Sequence, residues 1–410
     1  MNVTKEFAAL MRHIETVPVF SDHEHHQPDA LFREPVSLDS LLAQSYVGWL
    51  GHTPGNTPES RAAYLDHVRH NTYFVWFEKG FCAAHGVEGP ITAENWDELS
   101  ALARAAHRAN PDLHVDLLRR AGYERLILDT YWNPGDDNGH PDLFWPAFRI
   151  DKFMYGHHPD SADPDGFNPW ERYGFTGGSL DDYVEHMRGV IRARHAAGKV
   201  AAFKCAEAYR RPVTYAEDDR GAAKAAFGHR PGKISPELAR LFGNYIFNRC
   251  CELAGELGVP FQIHTGLAQL TGSDPMHLAP VLERHSGVRF VLFHAGYPWV
   301  HTVAGLAHNY PNACPSLTWM PTISTSAAVR ALQEFLDVAQ SARTITWGGD
   351  CWTAEESTGA LMAWRWVVAR TLGERMDAGL LRPRDAEALA VALLRGNNLH
   401  VYGQYPAVAG

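Results

Sequence analysis

The sequence predicts an α/β fold: a single (β/α)8 barrel, spanning 1–410, with a helical insertion after strand 1. Three observations carry this. From about residue 180 onward short apolar runs alternate with helical stretches, the pattern of a parallel sheet covered by helices. The chain has 410 residues, more than the roughly 250 of a complete eight-fold barrel. The surplus is most economically an insertion at 27–120 plus long loops over the mouth. Third, several predicted strands end in a side chain able to bind metal, as expected where all strands deliver their C-terminal residues to one mouth.

The elements follow in order. Val17-Pro18-Val19-Phe20-Ser21-Asp22-His23-Glu24-His25-His26 reads as a short apolar strand ending in His-x-His. Residues 27–120 look largely helical and hold no clear strand. Glu124–Asp129 is the next strand, and a Pro/Gly/Asp-rich stretch at 133–178 is mostly loop, with a short strand at Phe148-Arg149-Ile150. Ser179 can cap a helix over 180–197 that Gly198 ends, before the strand Lys199–Cys205. Ser235-Pro236-Glu237 opens a long helix that stops near Gly258, and Val259–His264 follows as a strand. A helix near 275–286 leads to the strand Val288–His294. A helix near 299–309 precedes a short strand around 312–318. A helix near 326–340 leads to a strand at Thr344–Asp350, and helices fill most of 354–402. There is no internal repeat.

Bulk composition narrows the function classes. The chain is 45% hydrophobic and 20% charged, an ordinary globular make-up. A net charge of −10 argues against a nucleic-acid binder or a basic membrane-surface protein. Met1–Glu6 lacks a signal-peptide layout and no run of about 18 apolar residues occurs. A cytoplasmic protein is expected, with a small-molecule substrate, no nucleic-acid or membrane partner, and a homo-oligomer as one possibility. The six Cys show no Cys-x-x-Cys spacing and are expected to be reduced. The excess is in His, 23 residues, with 12 Trp and 15 Tyr.

His23 and His25 share a strand face, and two parallel imidazoles on a rigid element form half of a metal site. His26 falls on the other face. Lys204 ends a middle strand on the same face as Ala202, and His264, His294 and Asp350 end later ones. His264 to His294 is 30 residues, about one strand-helix unit, and His294 to Asp350 is 56, about two. Singly, each has a plain alternative. A lone His at a strand end is more often a satisfied polar residue, and Asp350 after Gly348-Gly349 can simply cap the next helix. Together they require five strand ends to carry ligand types in barrel register, which chance explains poorly.

With these residues in view, the chain resembles the amidohydrolase superfamily, in its amidohydrolase-related branch of metal-dependent hydrolases with a TIM-barrel fold. The resemblance lies in Asp22-His23-Glu24-His25-His26, Phe203-Lys204, Gln262-Ile263-His264-Thr265-Gly266, Phe293-His294-Ala295-Gly296-Tyr297-Pro298 and Trp347-Gly348-Gly349-Asp350. The stretch Gly396–Tyr402 resembles the family's closing helix. Coverage is good over 180–402 and the first strand and poor over 27–178. The pattern is specific for superfamily and weakly specific for substrate.

The resemblance implies roles. His23 and His25 match the pair that binds the more buried metal, His264 the strand-5 ligand, and Asp350 the strand-8 acid that touches metal and takes a proton from the attacking water. His294 matches a position that binds a second metal in dinuclear members and contacts substrate or water in mononuclear ones. Lys204 matches a lysine that reacts with carbon dioxide to give a bridging carbamate (a carboxylated lysine); otherwise it is a structural or substrate-contacting ammonium. The implied cofactor is one or two divalent ions per chain, Zn²⁺ first, with Mn²⁺, Fe²⁺ or Co²⁺ as alternatives.

The leading expectation is hydrolysis of a C–N, amide-type bond, with Asp350 as base and then acid and His294 beside it. Alternatives are a metal-dependent non-oxidative decarboxylase and a uronate-isomerase-like activity. A metal-binding barrel without turnover is disfavoured because Asp350 is retained. Tyr209-Arg210-Arg211 beyond Lys204 offers guanidinium to a substrate carboxylate, chiefly through Arg210. Tyr297, Trp299, Trp319 and Trp352 follow strand ends and are candidates to wall an aromatic pocket. His301 and His308 are read as surface or supporting residues.

Overall fold

The computed structural model describes residues 5–32 and 36–403; Met1–Thr4, part of the stretch read for a signal, lie outside them. Among the described residues, seven parallel strands form one sheet in sequence order: β1 (Val19–Glu24), β2 (Tyr123–Leu128), β3 (Phe144–Arg149), β4 (Ala202–Cys205), β5 (Phe261–Ile263), β6 (Phe290–Leu292) and β7 (Ala313–Pro315). Each pairs only with its neighbours in sequence, so the sheet curls without a crossover.

Residues 345–351 fill the gap between β7 and β1. On one side Thr346 N–H donates to Pro315 O (3.0 Å) and Leu317 N–H to Thr346 O (2.9 Å). On the other, Asp22 N–H donates to Trp347 O (2.9 Å), Asp350 N–H to His23 O (2.9 Å) and His25 N–H to Cys351 O (2.8 Å). The predicted strand at 344–350 is corrected here: it contributes one bridge pair, Ser316–Thr346. Two consecutive glycines and an Asp350 with φ of 64° break the extended run. A second departure from strict strand-helix alternation lies between β2 and β3, where 129–143 holds no helix. The strand read at 148–150 starts earlier, at Phe144, and the one read at 312–318 is confined to Ala313–Pro315.

Local signals explain the helices. Ser179 caps Leu180–Ala196 in a reciprocal box with Asp182. Ser235 accepts from Leu238 N–H at the start of Pro236–Leu257, whose end is marked by left-handed Gly258. The stretch after β1 folds into Leu38–Ala43, Pro58–Val68, Thr72–His85, Trp96–Ala109 and Leu113–Ala121, with no strand among its described residues. It has its own apolar cluster, including Phe32, Leu42, Phe74, Phe77, Phe81 and Trp96. The helix Thr72–His85 crosses Ala354–Asp377 at two glycines. A Cβ on Gly80 would lie 2.2 Å from Glu355 O, and one on Gly359 would lie 2.1 Å from Trp76 O. Only glycine permits that approach.

The strands sort their side chains by register. Phe20, Ile127, Ala147, Ala202, Val291 and Cys314 form an inner cluster. Alternate residues such as Val19, Leu126, Phe148, Phe203 and Phe290 join the outer core under the helices. Two residues beyond the inner layer, the same face carries Asp129, Arg149 and Lys204, and His264 follows Gln262 in the same way. All six Cys are free, and five are buried. Among the described residues no helix is long and apolar enough to cross a membrane.

Candidate metal centre

At the C-terminal end of the sheet, His23, His25, Lys204, His264, His294 and Asp350 come together, all buried. His23 Nε2 lies 3.2 Å from Lys204 Nζ and 3.5 Å from Asp350 Oδ1; His25 Nε2 lies 3.2 Å from the same oxygen. His264 Nδ1 and His294 Nε2 face each other at 3.0 Å.

The outer nitrogen of each ring is committed to a carbonyl, which fixes the tautomers. Gln262 donates through Nε2 to Asp22 O (2.8 Å) and Tyr402 Oη (3.0 Å), so its Oε1 faces His23 Nδ1 at 3.1 Å. His25 Nδ1 donates to Asp129 O (2.8 Å), His264 Nε2 to Leu267 O (2.9 Å), and His294 Nδ1 to Thr318 O (3.0 Å). Four unprotonated nitrogens therefore point inward, and two of them stand lone pair to lone pair. Burial, with the charge of Lys204, holds His23 well below the usual histidine range, and burial brings His294 down to about 4. Neutral imidazoles at 3.0 Å with no proton between them are what a divalent cation requires, so the donor set fits a metal.

Two acidic groups complete it. Asp350 touches both His23 and His25 through Oδ1, and its Oδ2 accepts from Tyr46 Oη at 2.8 Å. Burial pushes its carboxyl up, but the positive charge gathered around it, Lys204 included, outweighs this and holds it below the usual range. Asp129 lies 3.6 Å from His23 Nε2 and receives Arg149 Nε at 2.9 Å on both oxygens. His23, His25 and Asp129 offer one ligand atom each, all within 4.8 Å of one another. Lys204 lies 4.0 Å above the Phe293 ring, and burial lowers its ammonium to about 8 despite Asp129.

The segment carrying Asp350 is latched by Glu24, whose carboxylate accepts from Gly349 N–H (3.0 Å), Cys351 N–H (2.8 Å), Ser21 Oγ (2.7 Å) and Ser357 Oγ (3.1 Å). Gly348 and Gly349 make that contact possible, since a Cβ on Gly349 would meet Glu24 Oε1 at 2.4 Å. Backbone strain concentrates here: His294, Trp319 and Asp350 all have positive φ.

The rings open onto a cavity of about 410 Å³ whose walls include Tyr46, Trp49, Tyr131, Tyr209 and Trp352. Trp352 lines it and stacks on His25 (5.4 Å between centroids). Trp319 is instead buried behind the wall, stacked on Tyr46 at 4.3 Å. Tyr297 does not line the cavity, because the bend after His294 turns it against the core, and Trp299 is likewise outside it. Arg210 does line it, but its guanidinium is already held by Asp165 (2.6 Å), with Glu207 at 3.6 Å. His301 pairs with Glu334 at the surface, and His308 is exposed.

Asp129, Arg149, Tyr46 and Glu24 were not among the expected site residues. Asp129 closes the strand read at 124–129, and Arg149 sits within the next one, so the strand-end rule already pointed to them. Tyr46 carries no such signal. Removing its hydroxyl frees Asp350 Oδ2 and takes away a bond to a charged group, worth about 1.5–3 kcal/mol. The expected result for Tyr46→Phe is unchanged metal content, turnover lowered about 10-fold, and an acid limb of the pH–rate profile shifted to higher pH. The sign follows because Tyr46 stabilises the ionised form of Asp350.

Residues 213–403 match the family model described as Amidohydrolase. Solved structures similar to this chain include uronate isomerase from Thermotoga maritima (TM-score 0.75, 16% identity, 97% of both chains). Glucuronate isomerase from Caulobacter crescentus is another (TM-score 0.73, 18% identity, 98% of this chain and 95% of that one). A third is a candidate metal-dependent hydrolase from Lactobacillus casei (TM-score 0.71, 16% identity, 96% and 97%). The amidohydrolase family model thus matches the C-terminal part of the chain, and the solved structures share its fold. Among curated proteins it resembles Protein fluG of Emericella nidulans, 35% identical over 96 residues. That match spans 22% of this chain and only 11% of the relative.

Proposed function

We propose that the protein hydrolyses a C–N, amide-type bond of a small molecule, using two divalent cations, Zn²⁺ first among them. The observation that carries this is the division of the inward lone pairs into two sets with Lys204 beside them. His23, His25 and Asp350 would hold one cation, and His264 and His294 the other. Lys204 would join the two as a carbamate. That modification needs a neutral amine, which attacks carbon dioxide, forms an N–C bond and releases one proton. An ammonium lowered to about 8 supplies the neutral form within reach of neutral pH. When bound, the cations would supply Lewis acidity and bring the pKa of water towards 7.

The chain's own groups do the rest. Asp350 Oδ1 takes a proton from the attacking water and returns it to the leaving nitrogen. Tyr46 holds the other oxygen, so the carboxylate cannot rotate away. Arg149 keeps Asp129 ionised beside His23. The aromatic walls exclude bulk water and offer flat surfaces to the substrate.

A second reading is isomerisation of a uronate-type acid. It is supported by the likeness to two uronate isomerases along almost the whole chain, including the helices after β1. The zinc-loaded protein assayed against N-acyl amino acids and γ-glutamyl amides is expected to release primary amine. Ketose formation from uronates without any amine release would replace the hydrolase by the isomerase.

A further inference from the structure

A second cluster of ligand-type side chains lies where the helices after β1 meet the helix Ala354–Asp377. His85 ends the helix Thr72–His85, His107 lies on Trp96–Ala109, and Glu355 lies in the first turn of Ala354–Asp377. None of the three lines the barrel-mouth cavity. His85 Nε2 is 3.1 Å and His107 Nε2 3.0 Å from Glu355 Oε1, and the three ligand atoms lie within 4.8 Å of one another. The side chains are 2%, 3% and 0% exposed. The Gly80–Gly359 crossing brings the backbones close enough for this contact.

Hydrogen bonding alone accounts poorly for the arrangement. Both imidazoles converge on one oxygen, while Glu355 Oε2, equally buried, has no partner. Among the described residues no Lys or Arg nitrogen lies within 4.0 Å of the carboxylate. The spacings suit a divalent cation: at the usual zinc–ligand distances, tetrahedral edges are about 3.3 Å.

We propose that His85, His107 and Glu355 form a separate divalent-cation site, of zinc-binding chemistry, that fastens the helices after β1 to the helix following Asp350. Its role is structural support of the catalytic end. Glu356, next in sequence, accepts from Tyr46 N–H (2.8 Å) and Trp352 N–H (3.2 Å), and Tyr46 in turn holds Asp350.

The test removes the barrel centre and counts what remains. In the full-length chain, a His23→Asn/His25→Asn/His264→Asn triple variant dialysed against micromolar Zn²⁺ is expected to keep one equivalent by elemental analysis. Adding His107→Gln is expected to reduce it to none. A chelator should lower the melting temperature of the triple variant and leave that of the quadruple variant unmoved. A folded triple variant holding no zinc overturns the proposal, whatever the barrel centre does. If the triple variant does not fold, His85→Gln and Glu355→Gln are made singly in the unaltered protein. Each is expected to lose one equivalent, and full retention by both overturns the site.

Discussion

Asp350→Asn should leave metal content close to that of the parent and lower turnover by about 10²–10⁴-fold, the usual worth of a positioned proton-transfer group. An amide oxygen at Oδ1 still faces His23 and His25, so the donor geometry survives while the proton acceptor is lost. The left-handed backbone at Asp350 suits Asn as well, since both tolerate φ near +60°. Misfolding is therefore a poor explanation for lost activity. Elemental analysis beside steady-state kinetics separates the two effects. Retained turnover in a metal-replete Asp350→Asn protein would remove the proton shuttle from the mechanism.

Lys204→Ala carries the second large effect. The barrel centre is expected to fall from two equivalents of metal to one, with turnover reduced about 10²–10³-fold through lost electrostatic organisation. The count is made in a His107→Gln background, so that the site at Glu355 does not enter it. On the proposed ligand set, two imidazoles and Asp350 would still hold one cation after the change, whereas His264 and His294 would lose the group that joins them to it. One equivalent before and after substitution would instead describe a mononuclear centre, with Lys204 as a cation facing substrate. The decarboxylase and isomerase readings would then gain over amide hydrolysis.

Much of this arrangement was legible in the chain because the governing rule is short-range. Side chains alternate along a strand, so Ala202 and Lys204 share a face, and helices of ordinary length bring successive strand ends to one mouth. Hence His23, His25, Lys204, His264, His294 and Asp350 could be read together although they span more than three hundred residues. The same alternation applies to Asp129 after Ile127 and Arg149 after Ala147. A reading weighted towards imidazole passes over them. Tyr46 was not legible, because nothing in its neighbourhood fixes where a helical stretch packs against a distant loop. Tyr297, Trp299 and Trp319 show the opposite limit. Following a strand end brings a residue near the mouth, but the left-handed turn at His294–Ala295 and the φ of 63° at Trp319 decide which way the ring then faces. Such strained turns have no periodic signature. Arg210 lines the cavity, but its guanidinium is held by Asp165, a partner no local pattern announces.

The irregular stretch 345–351 also has a consequence for solubility and assembly. A seven-stranded parallel sheet left open would present two rows of unpaired N–H and C=O groups, each a template for a strand from another molecule. Here both rows are occupied by one short segment of the same chain, and that segment carries Asp350. A chain truncated before residue 345 would lose its acid and acquire two adhesive edges at once. The fragment should therefore aggregate rather than persist as an inactive monomer. The proposed chemistry and the protection from self-association thus depend on the same seven residues.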